Sequence, residues 1–112
     1  MTVTARLRGV DAELDRIRQE FRRRSGRRIR RDADALLDRL RDTTPVDTGR
    51  ARAGWRATTA RYSRGEWRLT IENDVPYIVQ LNMGSSRQAP RRFVETAALR
   101  YFTADGVIAE TR

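Results

Sequence analysis

The chain has 112 residues, of which 38% are hydrophobic and 35% are charged, and its formal net charge is +9. A chain of this length forms one small domain with a thin core, so oligomerisation is a natural source of further stability. The sequence contains no cysteine and no histidine, which excludes disulfides and thiolate chemistry and removes the usual catalytic bases and transition-metal ligands. It has no apolar run long enough to cross a membrane and no signal-peptide pattern, so we expect no membrane association, and the absence of cysteine fits folding in the cytoplasm.

The positive charge is unevenly distributed, and all 24 basic residues are arginine. Residues 1–56 hold sixteen arginines against nine acidic residues, whereas residues 57–112 hold eight against six. The basic excess therefore belongs to the first half of the chain. Arginine favours forked pairing with carboxylates and phosphates, so acidic protein surfaces and nucleic acid are the partners to consider.

The pattern of residues 1–43 predicts a long helix. Apolar side chains recur at intervals of three or four residues in two stripes, first Leu7, Val10, Leu14, Ile17 and Phe21, then Ile29, Ala33, Leu36 and Leu40. The second stripe lies about 90° around the helix axis from the first, and the shift falls at Ser25–Gly26. Either the helix breaks there, or it continues and turns a different face to a different neighbour. We favour one long or kinked helix that ends just before Pro45.

An arginine cluster lies between the two stripes, in the segment FRRRSGRRIRR. Its members are Arg22, Arg23, Arg24, Arg27, Arg28, Arg30 and Arg31. The cluster is compatible with a phosphate-binding patch, and equally with a solvated helix surface or with pairing to acidic groups of a neighbouring subunit. On a helix these side chains point in nearly every direction, and no helix-turn-helix or zinc signature accompanies them. Both features weigh against sequence-specific DNA recognition.

The segment TTPVDTGRARAG at residues 43–54 predicts a helix stop followed by an ordered turn. Pro45 fixes its own φ and disfavours helical conformation in the residue before it. The side chains of Asp47 and Thr48 can accept hydrogen bonds from nearby backbone amides, and Gly49 tolerates positive φ. We expect Gly49 to lie close to a packed neighbour, and the substitution Asp47→Ala to cost about 1 kcal/mol, the scale of a lost capping bond.

The second half of the chain changes to a period of two. Residues 55–73 predict a β-hairpin, because Trp67, Leu69 and Ile71 alternate with polar residues and Ser63-Arg64-Gly65 supplies a loop. Residues 74–112 predict a loop, a short apolar helical segment and a C-terminal helix within RRFVETAALRYF, with DGVIAETR as a frayed end. The predicted fold is therefore a single α+β domain with a long N-terminal helix, an antiparallel hairpin or small sheet, and a short C-terminal helix.

The sequence predicts no catalytic, cofactor-binding or metal site. Asp47 together with Asp74 or Glu72 could form a carboxylate pair or a magnesium site, but nothing nearby in the sequence supplies further oxygen ligands. No glycine-rich phosphate loop is present either.

The order of these motifs resembles a family of small neck proteins of long-tailed bacteriophages, the head–tail joining or tail-completion proteins. The resemblance spans roughly residues 36 to 100, with the long helix fitting by type only. It rests on TPVDTG followed by Arg52, on an asparagine before Pro-Tyr, on a Gly-Ser pair, and on Gln-Ala-Pro followed by Phe-Val and Ala. The motif positions that we expect to be structural are Pro45, Asp47, Thr48, Gly49, Asn73, Tyr77, Gly84, Gln88, Pro90 and Phe93.

Two positions depart from the family pattern. Many members carry a Glu-aromatic pair where this chain has Asn82 and Met83, and a small residue where it has Arg91 and Arg92. Arginines at the start of a helix are unfavourable unless an acidic partner or a phosphate lies opposite. We therefore add Arg91 and Arg92 to the seven arginines of the cluster as candidate interface residues.

The resemblance implies a virion structural protein of the neck that is made and assembled in the host cytoplasm and acts as a ring, without catalysis. Its implied partners are further copies in a cyclic homo-oligomer, other neck and tail proteins (adaptor, stopper, tail terminator or tail tube), and genomic DNA in transient contact. The alternative is a non-specific DNA-binding protein of the packaging or neck region that uses Arg22–Arg31, and a small enzyme or toxin is the third hypothesis.

Two expectations follow for the assembled ring. One apolar stripe packs on the protein's own hairpin and the other on a neighbour. Most of the seven arginines face acidic surfaces of neighbouring subunits rather than the channel, because a strongly cationic wall would grip the genome.

Overall fold

The computed structural model describes residues 1–8, 15–45, 49–84, 91–102 and 107–111. Its elements run in the order β1 (Thr2–Arg8), α1 (Asp15–Thr43), α2 (Arg50–Ala53), β2 (Arg56–Ala57), β3 (Arg61–Ser63), β4 (Glu66–Glu72), α3 (Ile78–Asn82), α4 (Phe93–Tyr101) and β5 (Val107–Thr111). A long helix near the N-terminus, a small antiparallel sheet and a short helix near the C-terminus confirm the predicted α+β class.

The sheet is antiparallel throughout its described pairings. Its order is β2-β4-β1-β5, and β3 pairs with the other end of β4, on the same side as β2. The long central strands β1 and β4 pair over seven residues each. Their alternating apolar side chains, Val3, Ala5, Leu7, Trp67, Leu69 and Ile71, are buried on one face. The opposite face carries threonines and charged residues.

Helix α1 covers the apolar face of the sheet. Its buried apolar side chains are Ile29, Ala33, Leu36 and Leu40, the second stripe of the sequence pattern. Phe93, Val94, Ala97 and Ala98 of α4 are buried in the same core. The core thus lies between the second two-thirds of α1, one sheet face and the C-terminal helix.

The first stripe of the sequence pattern does not form as predicted. Residues 2–8, expected to be helical, form strand β1, in which Leu7 alternates with Arg6 and Arg8. Since β1 lies between β4 and β5, its conformation is fixed by partners that are 58 or more residues away in the chain, as Arg8 and Glu66 are. Val10 and Leu14 lie outside the described residues.

The C-terminal tail also differs from its prediction. Residues 107–111, expected to be a frayed end, form strand β5 along β1. In the predicted turn at 44–54, residues 50–53 form the short helix α2.

The predicted hairpin forms between β3 and β4. Ser63 pairs with Glu66, which leaves Arg64 and Gly65 as a two-residue loop. Both loop residues have positive φ, 55° and 76°, as the tight turn that matches the twist of a hairpin requires. Arginine at the first of these positions carries a conformational cost that the rigid pairing of β4 offsets.

Helix α1 continues through Ser25–Gly26 without a break, as favoured from the sequence. Its 29 residues extend about 43 Å, most of the longest dimension of the molecule, 52 Å. No residue of its first third, residues 15–24, is buried, and the side chain of Ile17 is 43% exposed. We call residues 15–24 the projecting third of α1. No helix within the described part of the chain is long and apolar enough to cross a membrane.

Candidate functional site

The end of α1 is joined to the start of the sheet by a buried polar junction. Trp55 is 1% exposed, and its indole Nε1 donates a hydrogen bond of 2.8 Å to Oγ1 of Thr44. The Thr44 hydroxyl in turn donates to the carbonyl oxygen of Leu40, in the last turn of α1. Arg41 Nη2 donates to the carbonyl oxygen of Trp55 at 3.2 Å. The beginning of the TPVDTG motif thus holds the helix terminus against the segment that enters the sheet.

The rest of this motif is only partly described. Pro45 is buried beside Thr44, whereas Asp47 and Thr48 lie outside the described residues, so the expected side-chain bonds there stay a prediction. The expectation for Gly49 is not met within the described part of the chain, where a Cβ atom at Gly49 would meet nothing within 4 Å. Its φ of 73° supplies the reason for glycine instead, since this left-handed conformation precedes α2 and costs other residues free energy.

Asn73 is a second buried junction, at the end of β4. Its Nδ2 donates to the carbonyl oxygen of Ala51 in α2 at 2.8 Å, and its Oδ1 accepts from the backbone N–H of Val75 at 3.0 Å. A Cβ atom at Gly54 would lie 2.8 Å from Asn73 Oδ1. The Asn-x-x-Pro-Tyr motif therefore acts structurally: the fully buried amide ties α2 to the turn after β4.

Asn82 caps α4 from outside that helix. Its Oδ1 accepts a 3.0 Å bond from the backbone N–H of Val94, and its Nδ2 donates to both carboxylate oxygens of Glu95, at 2.9 and 3.0 Å. The first bond replaces one that an N-cap side chain would accept, and the others join the Glu95 carboxylate to the side-chain amide of Asn82 rather than to the backbone N–H of the cap residue. The cap residue itself, Arg92, makes no side-chain cap and has φ of 59°. Asn82 therefore has a structural role in the protomer, because it joins α3 to the start of α4.

The remaining motif positions are distributed between core and surface. Phe93 is buried, Tyr77 is partly exposed at the start of α3, and Gly84 has φ of 95°, which favours glycine. Gln88 and Pro90 lie outside the described residues. Arg91 and Arg92 are both exposed, next to Gly84 and at the start of α4.

The arginine cluster divides into two groups. Three arginines have acidic partners within α1: Arg24 lies 2.7 Å from Glu20, and Arg28 and Arg31 each lie 3.9 Å from Asp32. The other four, Arg22, Arg23, Arg27 and Arg30, line one shallow depression of about 280 Å³ together with Gln19 and Trp67. The sequence predicted that the seven arginine side chains point in nearly every direction. It did not predict that four of them line the same depression.

Aromatic rings of the hairpin fix part of this depression. The guanidinium carbon of Arg22 lies 4.9 Å from the ring centre of Tyr62, and that of Arg30 lies 5.1 Å from the ring of Trp67. Trp67 Nε1 donates a 2.9 Å bond to the carbonyl oxygen of Arg22, which holds the indole against α1. Arg23 and Arg27 form no ion pair with any described residue, so an anion in the depression would meet two arginines ordered by stacking and two that are available.

A second basic surface lies on the polar face of the sheet. Arg61, Arg68 and Arg6 are directly opposite one another on β3, β4 and β1. Like charges in register across strands are destabilising, and Glu66 lies beside this row, 3.6 Å from Arg68. This row suits contact with an acidic surface.

The carboxylates considered for catalysis or metal binding have other roles where they are described. Arg56 Nε donates to Glu72 at 2.9 Å, and its Nη2 donates to Asp74. The pKa of the Arg56 guanidinium is raised, mainly by its hydrogen bond to Asp74 and next by its hydrogen bond to Glu72. Within the described ranges, no group of three or more acidic side chains is arranged to hold a metal ion.

The chain was also compared with known proteins. Neither the protein-family models, nor the curated proteins, nor the solved structures contain a match to it.

Two structural contacts near these sites were not predicted from the sequence pattern. Gly26, which marked the shift between the stripes, is where the indole of Trp67 packs on α1: a Cβ atom there would lie 2.6 Å from Trp67 Cζ2. A glycine inside an otherwise strong helix was the available signal for such a close approach. The capping role of Asn82 left no signal, because its partners lie twelve or more residues away across a loop.

Proposed function

We propose that this protein is a structural component of the neck of a long-tailed bacteriophage, which acts in head–tail joining or tail completion by assembling into a ring. It is a cyclic homo-oligomer that contacts other neck and tail proteins, performs no catalysis and reaches the virion from the host cytoplasm. The motif resemblance gives the class, and the buried junctions at Thr44 and Asn73 give those motif positions a physical role in the protomer.

The observation that carries the proposal is the projecting third of α1. This segment has no buried residue, yet it holds Ile17, 43% exposed, and Phe21, which is only partly covered. Ten helical residues contribute little stability of their own in water, so a partner outside the protomer would add to the stability that this segment takes from the packed part of α1. In a ring, the projecting third of every protomer would pack on one neighbour, and the same segment of another neighbour would pack on that protomer.

Deletion of the gene in its phage tests the proposal. We expect lysates with DNA-filled heads and separate tails, and joined particles restored by a wild-type copy supplied in trans. Antibody labelling in electron micrographs should mark the neck of intact virions. Normal yields of joined, infectious particles after deletion would overturn it.

A variant in the projecting third links this test to the structure. Ile17→Asp should leave the purified protein folded, because the side chain is exposed, but should fail to complement the deletion. Arg64→Asp in the exposed hairpin loop is the matched control and should complement. Equal complementation by both variants would show that the projecting third does not take part in the assembly contact.

The second candidate function, non-specific DNA binding, is favoured by the depression that Arg22, Arg23, Arg27 and Arg30 line. Four arginines beside one aromatic ring suit a phosphate backbone. The test is the binding of duplex DNA by the purified protein across a salt series. If DNA is the ligand, Arg23→Gln with Arg27→Gln should lower the salt slope by about 2, and Arg61→Gln with Arg64→Gln should not. An unchanged slope would rule out this site.

A further inference from the structure

The side of α1 that faces solvent carries charges segregated by sign. Its exposed residues Arg24, Arg27, Arg31, Asp34, Asp38 and Asp42 follow one another at intervals of three or four. At about 100° per residue they form one line along the helix, roughly half a turn from the buried stripe that contains Leu36. We call this line the charged ridge: three arginines followed by three aspartates.

The ridge is not neutralised within the protomer. Asp34, Asp38, Asp42 and Arg27 form no ion pair with any described residue. Arg24 and Arg31 contact Glu20 and Asp32, but their side chains remain 73% and 78% exposed. Asp42 also lies in the last turn of α1, where a negative charge is unfavourable beside the free carbonyl groups. The order of charges therefore does not stabilise the isolated helix.

The same order is self-complementary when a second copy runs antiparallel. Arg24 then faces Asp42 of the other copy, Arg27 faces Asp38, and Arg31 faces Asp34, because all three pairs share one midpoint near residue 33. We propose that the charged ridge docks on the charged ridge of a second copy of this chain, as a two-fold symmetric antiparallel pair. The two-fold axis turns three pairs into six and closes the assembly. A parallel pair in register would place like charges opposite one another.

Two features of the fold support this occupant. The buried stripe holds residues 25–43 of α1 on the sheet, so five of the six charges are displayed on a fixed element and lose little freedom on pairing. The ridge also points away from the sheet, which leaves room for another helix.

The contact between the two ridges is small and polar, so the dimer should be weak. Residues 24 and 42 are about 27 Å apart along the axis, and one helix-to-helix contact of that length is at the low end of specific interfaces. The pairs are at the surface, so salt weakens them. The pair should be a weak, salt-sensitive dimer of the free protein, and it is independent of the proposed neck function.

Sedimentation of the purified protein gives the first test. We expect dimers in about 50 mM NaCl. In about 500 mM NaCl the Debye length is only a few ångströms, so the dissociation constant of the dimer should rise at least about tenfold. A monomer under both conditions, or an oligomer indifferent to salt, would overturn the proposal.

Charge reversal gives the second test and fixes the direction of the helices. Arg27→Asp and Asp38→Arg should each abolish self-association, whereas an equimolar mixture of the two variants should form heterodimers. The double variant with both substitutions should dimerise like the wild type, which only the antiparallel register allows. Arg64→Asp, an exposed reversal in the hairpin loop, should leave the dimer intact, and circular dichroism should show each variant folded. Failure of the double variant to dimerise, or equal loss with Arg64→Asp, would exclude the ridge.

Discussion

Helix α1 consists of two parts that are both rich in arginine but differ in environment. Residues 25–43 bury four apolar side chains on the sheet, while residues 15–24 bury none. Arginine is frequent in both, so charge does not distinguish them. The second part repeats its apolar residues over three turns, from Ile29 to Leu40, whereas the first has only Ile17 and Phe21 within the described residues.

The difference shows how one helix can have two sources of stability. The second part is held by burial, which contributes the larger share of helix stability in proteins. The projecting third depends on the propensity of arginine, glutamine and glutamate, on the Arg24–Glu20 pair and on continuity with the packed turns. At its C-terminal end it is also held by Phe21, which packs on the core, and by the contacts of Arg22 with the hairpin. A part that is helical but unburied is suited to an intermolecular contact.

Removal of core volume from the packed part should have the largest effect. Leu36 is fully buried, so Leu36→Ala should lower the free energy of unfolding by about 2–5 kcal/mol through lost transfer energy and a cavity. Ile17→Ala, on the same helix, should cost less than about 0.5 kcal/mol. Urea denaturation of both variants measures the contrast. A comparable loss for Ile17→Ala would show that the projecting third is packed in the free protein.

A smaller effect is expected at the boundary between the two parts. Gly26→Ala would normally stabilise a helix by about 1 kcal/mol, but here the new methyl group would meet the Trp67 ring at 2.6 Å. Overpacking costs about 1–3 kcal/mol, so we expect a net loss of stability and a change in tryptophan fluorescence.

The background Trp67→Phe provides the control for this prediction. The smaller ring lacks the atoms nearest to Gly26, so Gly26→Ala should become neutral or stabilising there. The same sign in both backgrounds would mean that the ring does not limit this position.

The smallest effect concerns backbone propensity. Arg39→Gly, at an exposed site in the packed part, should cost about 0.5–1 kcal/mol of global stability, while Gln19→Gly in the projecting third should cost less than about 0.3 kcal/mol. The projecting third can open locally without unfolding the core, so its amides should exchange with solvent much faster than those near Leu36. Equal exchange protection in both parts would contradict the division of the helix.

The packed part of α1 and the β3–β4 hairpin could be predicted from the sequence for a local reason. Each apolar residue of the second stripe, and each of Trp67, Leu69 and Ile71, faces the core because the period of its own segment directs it there. The loop at Arg64-Gly65 could be predicted because glycine accepts positive φ.

Strand β1 could not be predicted in the same way. Leu7 fits both the helical spacing toward Val10 and Leu14 and the alternation with Val3 and Ala5. The choice is made by β4 and β5, which supply hydrogen-bond partners along both edges of β1. In the candidate site, the arginines were visible in the sequence, but the grouping of four of them around Trp67 depends on where the hairpin packs.

The sequence by itself determined the class of the fold, the packed stripe of α1, the hairpin and the order of charges along the helix, because each depends on periodicity within one segment. Only the tertiary structure decided that residues 2–8 are a strand, that Asn82 caps α4, that Gly26 receives the indole of Trp67, and which third of α1 is left uncovered. These features depend on contacts between segments far apart in the chain, and burial of apolar surface selects among the local conformations that the sequence alone leaves open.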